Sequence, residues 1–552
     1  MGVSIMKKRG IKFLSLITCV LFEFCACNKT NPTIESEESQ NEIKVFTGFF
    51  ATNQIPRSDS NVVQDLIAEK TGAKCNEQWL DEDKTAANAV GNMILSGQYP
   101  DFIFGGMEHQ RLVDAGAFIP IDEYWDGCNN LKAFFTDEKW EKLRADDGHI
   151  YMIPQFNNVY MYDTNTQHED EAFWIQVKVL KWAGYPKITT LDEYFDLIER
   201  YVEANPNGDN GLKNIGYEIL ADGNLYFCLE NPPQFLDGYP NDGCCIVDAE
   251  KQEAIDYNTT NTAKKWFKKL NEEYHKGIID PECFLLTTDQ YYDKIRSGNV
   301  LGMVDQLWNF QSAAAGLPEK SEYVPLGIVI EEGIQEHYHA EPAFDKSKGI
   351  GISISCQDKK GAVKFIDDLL SPEILTLRFW GREGVDYNVD ENGMFYRTQE
   401  QRENSGDPEY VKSNLCDYNY FPFYKGMNMD GKNAYCPLNQ PSEFYEKLSK
   451  IMKECFSAYG VQTFTELLNK SDNNPPWYPM WSYTNTFGSD KNYEKAKTNM
   501  DNVKHEYLPK VVMSDDFEAA WAEYMQVYNS KCDVKVYLDE LTAEIRRRSG
   551  IK

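Results

Sequence analysis

The side chains of this sequence best suited to act on another molecule are aromatic rings set beside carboxylates and carboxamides. Trp308 stands in Asp305-Gln306-Leu307-Trp308-Asn309, and Trp79 follows Asn76-Glu77-Gln78. Asn157 and Asn158 are adjacent, Trp380 and Glu383 lie either side of Arg382, and Glu108 follows Gly105-Gly106-Met107. Trp477 and Trp481 belong to Pro475-Pro476-Trp477-Tyr478-Pro479-Met480-Trp481, an aromatic loop stiffened by prolines. A flat ring next to paired donors and acceptors can hold a ligand that has an apolar face and a polar rim, without breaking a bond in it. Nucleophile-and-base chemistry has less support. The sequence has no Gly-x-Ser-x-Gly, no P-loop and no His-Glu-x-x-His. Of seven histidines, His337-x-His339 with Glu336 and Glu341 is the one cluster; it lacks a third placed ligand and reads as a surface loop.

These groups need elements to position them, and the chain has ample material. Its 552 residues are 42% hydrophobic and 13% aromatic, enough for two to four packed domains. Lys and Arg total 56 against 87 Asp and Glu, a net charge of −31 that repels phosphate backbones and so argues against nucleic acid. At the N-terminus Lys7, Lys8, Arg9 and Lys12 precede an apolar run from Phe13 to Phe22. That is the layout of a secretory signal and is too short to span a bilayer. Phe24-Cys25-Ala26-Cys27 follows and resembles a bacterial lipobox, which predicts a leader over 1–26 and lipid attachment at Cys27. The polar stretch up to residue 42 reads as a tether. The eleven cysteines beyond the tether have no repeated spacing and so form no disulfide framework; one or two bridges and several buried free thiols are both open readings.

Beyond the tether, Ile43–Phe50 is β-rich, and Val62, Val63, Leu66 and Ile67 repeat at helical spacing before a Gly72 stop. Tyr99–Gly106 reads as a short buried strand breaking into a glycine turn, Thr190 with Glu193 as a capping box, Val300–Val304 and Leu326–Ile330 as further strands, and Gly349–Ser355 alternates Ile with Gly or Ser. Ser371-Pro372 opens a helix. Phe517, Trp521, Tyr524 and Tyr528 share a helical face, and Val534, Leu538, Leu541 and Ile545 mark a last helix. Alternating strands and helices indicate α/β layers. In their order, several landmarks resemble the family 1 extracellular solute-binding proteins, the lipoprotein receptors of bacterial ABC sugar importers, especially the long oligosaccharide-binding type. They are Ser96-Gly97-Gln98-Tyr99-Pro100-Asp101, Ala115-Gly116-Ala117-Phe118-Ile119-Pro120, Asp147-Gly148-His149-Ile150-Tyr151-Met152-Ile153-Pro154, and Ser371-Pro372-Glu373 followed by Gly381-Arg382-Glu383-Gly384-Val385-Asp386-Tyr387.

The resemblance implies a two-lobed, periplasmic-binding-protein-like α/β fold of type II. Each lobe would be a mostly parallel sheet flanked by helices, joined by two or three crossing segments, the first near Gln155–Asn158. Lobe one would comprise 43–155 and 327–372, and lobe two 156–326 and 373–552. It implies a monomer outside the cell, on the membrane surface or in the periplasm where there is an outer membrane. This monomer would catch a carbohydrate in the interlobe cleft and hand it to permease subunits, with no catalysis and no resident cofactor. Trp308 matches a loop where relatives place a stacking ring, with Asp305 and Asn309 as hydroxyl partners. Trp79, Glu108, Asn157, Asn158, Trp380, Glu383, Trp477 and Trp481 are further ligand candidates, although Arg382 and Glu383 also read as a structural pair. Asn205-Pro206-Asn207-Gly208-Asp209-Asn210-Gly211 resembles a calcium loop of some long relatives. Its first Asp is Asn205 and the acidic pair is replaced by Lys213-Asn214, so it reads first as a glycine-rich turn, with Asn205, Asn207 and Asp209 the weak metal candidates. With 87 acidic residues the competing class is a secreted, lipid-anchored glycoside hydrolase or polysaccharide lyase acting through a carboxylate pair; a tethered scavenging module is a third.

Overall fold

A computed structural model describes residues 43–551 other than 55, 82, 83, 155, 158–164, 224, 340–343, 345, 347, 348, 471–473, 486 and 489. The leader, Cys27, the tether and Asn158 lie outside the described residues. In chain order the strands are β1 (Lys44–Phe50), β2 (Ala73–Trp79), β3 (Phe102–Phe104), β4 (Ile153–Pro154), β5 (Phe156–Asn157), β6 (Glu171–Gln176), β7 (Ile215–Glu218), β8 (Ile246–Asp248), β9 (Glu253–Ile255), β10 (Val300–Gln306), β11 (Tyr323–Leu326), β12 (Gly349–Ile352), β13 (Asn388–Val389), β14 (Phe395–Tyr396) and β15 (Phe423–Tyr424). Local chemistry explains their spacing. Asn61 caps the helix Val62–Thr71 by accepting from the Gln64 N–H, and Gly72 ends it at φ +72°, a backbone that a side chain would disfavour. Thr190 and Glu193 form the reciprocal capping box that starts Leu191–Ala204.

Two sheets carry the molecule. The first has the order β2-β1-β3-β12-β4 and the second β11-β6-β10-β7. Neither is mostly parallel, which corrects the expectation. β1 runs parallel to β2 and β3, but β12 is antiparallel to β3 and β4. In the second sheet β10 is parallel to β7, while β6 is antiparallel to both β10 and β11. The reversed strands, β6 and β12, are the ones the chain enters directly from the other sheet: each starts at the edge where its neighbours end.

The chain passes between the sheets three times: from β4 to β6, from β11 to β12, and after β15, which pairs in parallel with β5 beside the first passage. Each sheet has its own apolar core. Phe46, Phe50, Phe102, Ile153, Ile350 and Ile352 anchor one, and Phe173, Trp174, Tyr194, Trp266, Val304 and Val324 the other. The boundary expected at residue 372 moves. Ile374, Leu375, Leu377, Cys416, Tyr418, Phe421, Phe423 and Tyr424 are buried in the first core, not the second. The Arg378 guanidinium fixes them there, donating to the carbonyls of Leu369, Asp417, Tyr418, Phe421 and Pro422 at 2.9–3.2 Å. From Phe444 onward the chain packs into the second core, ending in the helices Asn492–Met513, Phe517–Lys531 and Val534–Arg548. The strand expected at Leu326–Ile330 ends at Leu326, and Val329 makes only an isolated bridge to Thr190. All eleven described cysteines are thiols, buried or nearly so. Among the described residues no helix is long and apolar enough to cross a membrane.

Candidate ligand-binding site

The passages leave and enter both sheets at one kind of edge. In the first sheet the carboxyl ends of β1, β2 and β3 lie together, with Phe50 level with Trp79 and Phe104, and β4 ends there too. In the second sheet Gln306, at the carboxyl end of β10, is level with Glu171, where β6 begins. Carboxyl edges are where α/β sheets leave loops and unpaired backbone groups free to meet a ligand. At the second of these edges is a cavity of about 610 Å³ to which all three passages contribute: residues 165–170, His339, and Lys425 with Tyr435, Leu438 and Asn439. Gln306, Asn231, Asn241 and Asp242 complete its floor, and Tyr478 and Trp481 supply rings from the proline-stiffened loop. Tyr435 in turn packs on Phe379 and Phe423 of the first core, at 5.3 and 5.5 Å between ring centroids.

The expected site residues separate into two groups. Trp481, 40% exposed, lines the cavity. Trp308 is 52% exposed, donates its ring N–H to Gln306, itself part of the lining, and lies 6.2 Å from the Phe227 ring. Trp79 and Glu108 sit on the carboxyl edge of the first sheet, where Trp79 packs on Phe50 at 4.9 Å and Glu108 pairs with Arg111 at 2.5 Å. Asn157 is paired through its backbone with Tyr424 at the first passage.

The other candidates are part of the interior. Asp305 is fully buried. It accepts from the Tyr291 hydroxyl at 2.6 Å and from Asn309 at 2.9 Å, and Asn309 also accepts from Tyr292 at 2.7 Å, so neither is aimed at a ligand. Trp380 is fully buried, with its ring N–H on the Ala434 carbonyl at 3.1 Å. Trp477 is buried. Glu383 is exposed, and Arg382 pairs with Asp386 at 2.7 Å instead, which corrects the expected Arg382–Glu383 pair. His339 lines the cavity rather than a surface loop, and the neighbouring Glu336 is buried, accepting from the Tyr338 N–H.

The sequence reading missed a polar network behind the cavity. Glu171 is fully buried, and its Oε2 accepts from Asn231 and Asn241, each at 2.7 Å. Burial pushes its pKa up to about 8 against the pull of those two amides. Asp242 is 4% exposed and accepts from the Met480 N–H at 2.7 Å, and burial raises its pKa to about 6. His168, buried with its Nε2 3.0 Å from the Glu171 carbonyl, is held below the usual histidine range by burial. The available signals were local: Asn241-Asp242-Gly243 is a turn sequence, and Asn231 precedes two prolines.

The loop at 205–211 does not fit a cation. Asp209 pairs with the Lys320 ammonium, and Asn205 caps the preceding helix. Loop oxygens already meet amide N–H groups: the Asn205 carbonyl accepts from the Asn214 side chain at 2.8 Å and Asn210 Oδ1 from the Leu212 N–H at 3.0 Å. Among the described residues no three His, Cys, Asp or Glu side chains are grouped to hold a metal ion.

No family model matches the chain. It is 25% identical over 302 residues to the fructooligosaccharide ABC transporter substrate-binding protein FusA of Streptococcus pneumoniae, a match covering 50% of this chain and 54% of that one. The chain thus spans about half the length of that relative. To lipoprotein LipO of Bacillus subtilis it is 21% identical over 410 residues, 71% of this chain and 76% of the other. Its structure superposes on an HMO-binding, ABC-transporter-associated solute-binding protein from Bifidobacterium longum infantis with a TM-score of 0.60, at 15% identity, over 92% of this chain and 98% of that one. The fold is that of the solute-binding proteins.

Proposed function

We propose that this chain is the substrate-binding component of an ABC importer, anchored outside the cell through Cys27, and that it captures a carbohydrate and delivers it to a permease without chemically altering it. One observation carries the reading: three passages between two separately cored sheets converge on a single polar cavity at a carboxyl edge. Bending at the passages changes the angle between the cores and the shape of that cavity together, so ligand capture and closure are one event, which a permease can sense. The cavity volume falls in the range of about 300–1,000 Å³ usual for small-molecule sites. Its amides, carboxylates and rings suit a saccharide, which presents hydroxyls at its rim and C–H groups on its faces. Named relatives that bind fructooligosaccharide or HMO support the ligand class, and the named lipoprotein supports the anchor. A thermal-shift screen of mono- and oligosaccharides tests the proposal, because a ligand bound only by the native state raises Tm. A stabilising saccharide recovered intact supports it. Steady product release identifies a hydrolase or lyase instead.

A further inference from the structure

The polar wall behind the cavity narrows the ligand class, an inference that rests on the carbohydrate-capture reading. In Asn231 and Asn241 each side-chain nitrogen gives one hydrogen to Glu171 Oε2, and each side-chain oxygen is already taken: Asn231 Oδ1 by the Tyr257 hydroxyl at 2.9 Å, Asn241 Oδ1 by Gln234 at 2.7 Å. What remains on each amide is one N–H donor. Gln234 Oε1 accepts from the backbone N–H groups of Asp242 and Gly243 at 3.0 and 3.1 Å, which fixes the turn carrying Asp242. The Met480 N–H holds Asp242 Oδ2, and the Cys244 thiol and the Trp481 N–H also stabilise the carboxylate, but among the described residues no donor meets the buried Oδ1 with full hydrogen-bond geometry. A buried carboxylate oxygen without a donor is costly unless a ligand supplies one.

We infer that Asp242 is the specificity-determining acceptor for a hydroxyl of an uncharged saccharide, that Asn231 and Asn241 donate to its oxygens, and that Glu171 is the positioning residue that sets both amides. Charge in the lining argues against acidic sugars. Glu169, Asp170 and Asp242 line the cavity with Lys425 as the one lysine, and no arginine fork, the usual partner of a carboxylate or sulfate, is among the described lining residues. A uronate or sulfated ring would have to give up its hydration beside these carboxylates.

Calorimetric titration of the wild-type protein tests this with two probe sets: neutral malto-, xylo-, manno- and fructo-oligosaccharides, and oligogalacturonate, oligomannuronate and sulfated oligosaccharides. The expected result is a neutral probe bound at least about 100-fold more tightly than any acidic one. Asp242→Asn should weaken neutral binding at least tenfold and narrow that ratio. Glu171→Gln keeps an oxygen facing both amides and should stay within about threefold of wild type, whereas Glu171→Ala should lose tenfold or more. If Glu171→Ala fails to fold, the Gln variant and Asp242→Asn still decide the question. An acidic probe bound as tightly as the best neutral one, or an unchanged ratio in Asp242→Asn, overturns this inference and leaves carbohydrate capture standing. Binding of no saccharide at all overturns both.

Discussion

Trp308 and its neighbours show how finely direction divides side chains that are adjacent in sequence. Along β10 successive side chains point to opposite faces, so Asp305 enters the core while Gln306 meets the cavity. On the helix Leu307–Ala314, Trp308 and Asn309 lie about 100° apart; Trp308 stays half exposed, while Asn309 turns back one turn onto Asp305. The sequence showed an aromatic plate beside polar groups but not the phase of the strand, which only its pairing with β6 decides. For the same reason Trp308 and Trp380 separate: Trp308→Ala should weaken saccharide binding at least tenfold, about 1.4 kcal/mol, with Tm unchanged. Trp380→Ala should cost about 3–5 kcal/mol of stability, because it leaves a cavity in a packed interior. Titration calorimetry and denaturant unfolding of the two variants check the contrast. The Glu171 network was illegible for a further reason: Glu171 lies 60 and 70 residues from its two amide partners, and no periodicity marks a buried polar cluster.

Helices and strands were readable wherever a local rule governs them, as at the Asn61 cap, the Gly72 stop and the Thr190–Glu193 box. Membership of a core was not, because it depends on contacts across long stretches of chain. Residues 374–424 illustrate this: their apolar residues fit either core, and the buried Arg378 ties them to the first through five carbonyls. Burial draws the Arg378 pKa down to about 10, so it stays charged at neutral pH and those carbonyls serve as its acceptors. Arg378→Met should therefore destabilise the protein by more than about 3 kcal/mol, since each orphaned buried carbonyl costs about 1–3 kcal/mol. Denaturant unfolding measures it, and a loss below 1 kcal/mol would mean that the cation does not hold this segment.

The molecule as a whole combines a strongly acidic surface with acidic groups buried in its interior, one behind the cavity and another on the helix Asn261–His275. Glu171 and Glu273, raised by burial to about 8 and about 7, bind a proton in the native state at pH values where the unfolded chain, with carboxyl pKa near 4, has released it. The stabilisation due to these raised groups is full below the unfolded pKa and is lost as pH rises through the folded values. The burial-depressed histidines His109 and His168 act in the opposite sense, but below about pH 6.5. Between pH 6.5 and 8, then, Tm should fall as pH rises. Glu171→Gln, which cannot ionise, should flatten that fall, and a Tm that rises across this interval would remove the buried-acid account. The deepest claim is mechanical: two cores, joined by passages that also wall the cavity, move together around a saccharide. Small-angle X-ray scattering of the protein during titration with its tightest-binding oligosaccharide tests it most directly. A radius of gyration that falls and levels off at one ligand per chain, with the saccharide recovered intact, is the predicted result; scattering that stays unchanged at saturation would contradict it.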